Sequence, residues 1–111
     1  MRDKNYIAIA KIIAYIEKIF TYTSGVDKIT FLSNTQLLEA CVFNVLQIGE
    51  LANRLSEDFR SQHVDIPWSK IRGIRNRLVH DYEGVNIELV WDIIKNDLDV
   101  LRDQLLSIRK H

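Results

Sequence analysis

A single cysteine, a single proline and four glycines are all that this 111-residue chain holds of the residues that staple or punctuate a fold. With one thiol no internal disulfide can form, so packing alone must hold the chain. Cys41 lies in the apolar run Ala40-Cys41-Val42-Phe43, where a thiol reads as a small buried hydrophobe before it reads as a nucleophile. No apolar run is long enough to span a bilayer. The N-terminal Met1-Arg2-Asp3-Lys4-Asn5 leads into a pattern broken by Lys11, Glu17 and Lys18, not into a signal-peptide core. A cytoplasmic protein with no membrane partner is expected. Net charge is missing too, since 15 basic and 15 acidic residues cancel. That argues against a general nucleic-acid coat, whose affinity comes from many Lys and Arg contacts to phosphate, but leaves room for a local cationic site. His63 and His111 are far in sequence from His80, and no group has metal-ligand spacing. No metal and no other cofactor is expected.

What is present is an ordinary globular composition, 47% apolar and 27% charged. The length suits one domain over residues 1–111, with a small core that oligomerisation would enlarge. Helical periodicity dominates. Ile9, Ile13, Ile16 and Phe20, widened by Ile12 and Ile19, predict a first helix from about Asp3 to about Tyr22, closed by Ser24-Gly25. A short irregular or helical piece runs from Val26 to Leu32. Ser33, Asn34 or Thr35 caps a second long helix that carries Leu38, Val42, Val45, Ala52 and Leu55, with Cys41 and Ile48 alongside, and ends near Phe59 or Arg60. Gly49 falls inside it. A mid-helix Gly costs about 1 kcal/mol relative to Ala, which implies close packing against a neighbour. Pro67 starts a third helix, with Asp65 placed to cap it, from Trp68 to about His80. Asn86 caps the last, whose Ile87, Trp91, Ile94, Leu98, Leu101, Leu105 and Ile108 alternate by four and three. Trp68 and Trp91 both fit buried stripes. No segment sustains a two-residue alternation, so the expected fold is all-α, an antiparallel up-and-down bundle of four main helices.

The third helix departs from the rest. Lys70, Arg72, Arg75, Arg77 and His80 fall within eleven residues that contain no acid. Positive charge is concentrated there in an otherwise neutral chain, as an anion site requires. Projected at about 100° per residue, Trp68, Ile71, Ile74, Leu78 and Val79 form a buried arc. Arg75 projects into that arc, Asn76 and His80 share the adjacent stripe, and Arg77 points away from both. A half-buried Arg needs a partner. It is either a structural ion pair, with Glu50 as the candidate, or part of a site. Attack of a ribose 2′-hydroxyl on its neighbouring phosphate needs a base, an acid and positive charge at phosphorus. His titrates in the right range, and Arg presents a planar fork to phosphate. One His per chain is too few for paired acid–base work, so a homodimer joining two sites is expected.

Arg75-Asn76-x-x-x-His80-x-Tyr82 resembles the Arg-x-x-x-x-His-x-Tyr signature of HEPN domains, in particular the HepT-like toxins paired with a minimal nucleotidyltransferase antitoxin of the MntA type. Ile48-Gly49-Glu50, Ile66-Pro67-Trp68, Arg72-Gly73-Ile74, Tyr82-Glu83-Gly84-Val85 and Val90-Trp91 extend the likeness over nearly the whole chain. The resemblance implies a dimerising helical bundle and a metal-independent endoribonuclease. Arg75 and His80 would be catalytic in a cleft at the dimer interface, and Asn76 would support the Arg or the phosphate. The antitoxin would silence the toxin by transferring AMP to Tyr82. Two other readings stay open: a non-catalytic subunit that binds a nucleotide or RNA for a nucleotidyltransferase complex, and a purely structural dimer whose Arg75 and His80 are buried and paired.

Overall fold

The computed structural model describes residues 3–80 and 84–109, with the backbone alone at 79, 80 and 109. Each helix start has a local cause. Asp3 accepts from the Asn5 amide at 2.7 Å and opens α1, Lys4–Thr23. Its Ile9, Ile12, Ile13, Ile16 and Ile19 are buried, and Gly25 closes it at φ 74°, in the left-handed region that a side chain disfavours. Asp27 caps the short α2, Lys28–Ser33, by accepting from the Thr30 amide, and that bond holds its carboxyl below the ordinary range. Asn34 caps α3, Thr35–Asn53.

The second long helix was expected to reach Phe59 or Arg60, but α3 stops at Asn53 and a separate α4 covers Glu57–Gln62. The Arg54 amide turns back to the Leu51 carbonyl. The Ser56 hydroxyl then accepts from the Phe59 amide and starts a new helix with Glu57 and Asp58 in its first turn, where acids suit the helix dipole. Asn5 grips this corner from α1, accepting from the Ser56 amide at 3.0 Å and donating to its hydroxyl at 3.2 Å.

The expected third helix is also divided, into α5, Trp68–Arg72, and α6, Ile74–Leu78, on either side of Gly73. Strand β1, Val79–His80, comes next and pairs antiparallel with β2, Gly84–Val85. Asp65 caps nothing. Pro67 holds the N-cap position without a side-chain bond, and the Asp65 carbonyl instead accepts from Gln104. Two-residue strands are too short for any alternation to show in sequence. Asn86 caps α7, Ile87–Asp92. A π-helical turn, Ile93–Asp97, joins it to α8, Leu98–Arg109.

Helix α1 packs against α3 and α8, and α3 packs against α5 and α6. The all-α class holds, with α1, α3, α5–α6 and α7–α8 as the four main passes. Trp68 is buried and its indole donates to the His63 carbonyl. Trp91 is only half-buried, tilted against Phe31 with the Lys95 ammonium over its ring. Among the described residues no helix is long and apolar enough to cross a membrane.

Candidate functional site

The site begins with a missing side chain. A Cβ on Gly49 would lie 2.6 Å from Ile74 Cγ2 and 3.2 Å from the Ile71 carbonyl oxygen. Glycine therefore lets α5 and α6 lie almost against the backbone of α3, which accounts for the mid-helix Gly anticipated from sequence. Ile71, Ile74 and Leu78 anchor the two short helices in the core. The other positions of α6 are left for its polar residues.

Gly73 sets which of those residues face outward. At φ −88° and ψ 9° it sits off the helical region, so the rotation counted through α5 does not carry into α6. Arg75, expected within the buried arc, is exposed together with Asn76, whereas Arg77, expected to point away, is half-buried. The continuous projection failed because the helix is not continuous.

The four cations of this segment have separate surroundings. Lys70 pairs with Asp97 at 3.6 Å, and Arg72 donates through Nε to Asn53 Oδ1 at 2.9 Å, a contact that nothing in the sequence pattern signalled. Arg75 makes no hydrogen bond or ion pair with any described residue. Glu50, its candidate partner, is itself exposed on α3 and unpaired with it. An exposed guanidinium keeps its hydration and needs no such partner. The structural ion pair is therefore set aside. Arg75 instead presents a solvated planar fork, whose parallel N–H donors are open to an incoming phosphate.

His80 lies two residues beyond the end of α6. Its backbone is held in β1 opposite Gly84, whose φ of 87° favours glycine. Tyr82, singled out by the sequence motif, lies outside the described residues, as does its neighbour Glu83. Cys41 is fully buried, and burial pushes its thiol up to about 11, so it offers no nucleophile near neutrality.

No solved structure matches the chain. A family model described as "Ribonuclease HepT-like" does match, over residues 12–108, from the middle of α1 to the end of α8. That span takes in Gly49, both halves of the divided third pass and the exposed Arg75. The chain belongs to the HepT-like ribonuclease family.

Proposed function

We propose that this protein is the toxin of a toxin–antitoxin pair, a metal-independent endoribonuclease that works as a homodimer. The observation that carries the reading is the exposed Arg75 guanidinium, without a partner among the described residues, on the short helix that leads into His80. Family membership supports ribonuclease chemistry; the assignment of roles is ours.

In this mechanism the imidazole of one His80 takes the proton from a ribose 2′-hydroxyl. The freed oxygen attacks the adjacent phosphorus, and the bond to the 5′-oxygen of the next nucleotide breaks. That oxygen takes a proton from the second copy's imidazolium, leaving a 2′,3′-cyclic phosphate and a 5′-hydroxyl. Arg75 neutralises the charge gathering on the phosphorane oxygens, and Asn76 helps to orient the phosphate. The nucleotidyltransferase antitoxin silences the site by directing the Tyr82 phenol onto the α-phosphorus of ATP, with loss of pyrophosphate. The bound phosphate then occupies the place meant for RNA and repels its backbone.

Purified protein incubated with RNA in excess chelator tests this. The expected result is cleavage to 5′-hydroxyl ends that disappears in His80→Ala. RNA binding without cleavage would instead favour the non-catalytic subunit of a nucleotidyltransferase complex. Co-expression with the antitoxin should add AMP mass at Tyr82; the mass on Tyr6, Tyr15 or Tyr22 would refute that assignment.

A further inference from the structure

The bundle is open along one side. Between α5–α6 and the π-turn with α8 runs a groove of about 360 Å³, within the size range of small-ligand pockets. Ile71, Ile74 and Leu101 supply its accessible apolar lining, with Ile48, Ile93 and Leu98 buried directly behind them.

The polar groups along the groove give it a direction. At one end Gln104 donates to the Asp65 carbonyl. In the middle Lys70 and Asp97 neutralise one another at 3.6 Å. Arg77 and Asn96 also line the groove, and the half-buried Arg77 side chain has no hydrogen bond or ion pair to any described residue. An anion is therefore favoured at Arg77, since Asp97 already neutralises the other cation of the lining, Lys70. An apolar, flat group with polar edges suits the rest.

We propose that this groove is a nucleotide subsite of the RNA-cleaving centre. It receives the base of a nucleotide neighbouring the scissile phosphate against the isoleucine floor, with that nucleotide's phosphate on Arg77 and Asn96 hydrogen-bonding the base edge. The assignment rests on the ribonuclease reading for its biological meaning, although occupancy of the groove does not depend on cleavage. Arg75 and Arg77 then divide the labour on one short helix: the first meets the reacting phosphate and the second holds its neighbour.

The floor carries its own reporters. In protein labelled at isoleucine δ1-methyls, the four ribonucleoside 3′-monophosphates, which have no bond to cut, should shift Ile48, Ile71, Ile74 and Ile93 and leave Ile9 and Ile16 of α1 in place. At least one base should bind more tightly than the others. Ribose 5-phosphate, which lacks a base, should leave the four methyls unmoved. Arg77→Ala should weaken the monophosphates about tenfold while leaving the corresponding nucleosides unchanged. Silent groove methyls, or equal shifts from ribose 5-phosphate, would overturn the proposal. So would shifts of the same methyls with protein concentration alone, which would mean that a second copy fills the groove. Cleavage with silent methyls refutes the subsite and spares the ribonuclease; methyl shifts in a protein that never cleaves refute the ribonuclease and spare the subsite.

Discussion

Helix α1 runs 20 residues without interruption, whereas the third pass of the same bundle needs two five-residue helices and a two-residue strand to cover residues 68–80. The first buries isoleucine along its inward face. The second buries enough to be anchored, at Trp68, Ile71, Ile74 and Leu78, and gives its remaining positions largely to cations. A helix that must aim several charged groups in different directions gains from being cut, because each cut resets the rotation of the residues beyond it. Gly73 makes such a cut, and Gly49 keeps the pieces close against α3 in spite of it.

The contrast breaks if the two regions cannot be damaged separately. His80→Ala or Arg75→Ala should lower RNA cleavage by about 10²–10⁴-fold and shift the thermal midpoint by no more than about 2 °C. Ile16→Ala should do the opposite. It should cost about 2–5 kcal/mol in urea unfolding, while activity per folded molecule stays near wild type. Joint loss in both variants would erase the distinction. Arg75→Lys sharpens it further: an ammonium keeps the charge but not the fork, so cleavage should fall by roughly tenfold or more. Near-normal rates would reduce the site to a positive patch.

Smaller effects test the seam between the regions. Gly49→Ala gains about 1 kcal/mol of helix propensity against about 1–3 kcal/mol of overpacking on Ile74 and the Ile71 carbonyl. The expected outcome is a modest net destabilisation, with cleavage reduced beyond the loss of folded protein because α6 is displaced; unchanged cleavage would show that the close approach does not position the site. The smallest effect concerns Cys41. With its thiol near 11, roughly one molecule in a thousand is thiolate at pH 8. Alkylation, read by mass spectrometry, should therefore track unfolding and not native chemistry.

Much of this was legible in the sequence, and the failures share a cause. The isoleucine stripe of α1, the cap at Asn86 and a cap among Ser33, Asn34 and Thr35 were readable, because each depends on neighbours a few residues away; the packing role of Gly49 was readable only because a mid-helix glycine needs a reason, and its partners Ile71 and Ile74 on other helices were not. The cationic cluster was readable by composition. The end of α3 was not, since Leu55 and Phe59 continue the apolar pattern past Asn53 and only Ser56, with two acids after it, marks the new start. The exchange of roles between Arg75 and Arg77 was hidden in the same way: one residue off the helical region at Gly73 changes every facing after it. Periodicity reveals what each segment buries, but not how segments are phased.

The turn between α7 and α8 poses the same question of phase from the opposite side. The Leu98 amide donates to the Ile93 carbonyl, five residues back, so this helix holds about one residue more than an α-helical path would use. Such a surplus works like an insertion absorbed without breaking the rod. It rotates everything upstream by roughly 100° relative to everything downstream, which turns Trp91 onto Phe31 while Leu98 and Leu101 keep their inward heading. Removing a single residue from 93–97 would leave composition, charge and helix content almost untouched, yet swing Trp91 off its neighbour. In this chain a count of residues is as much a part of the design as their identity.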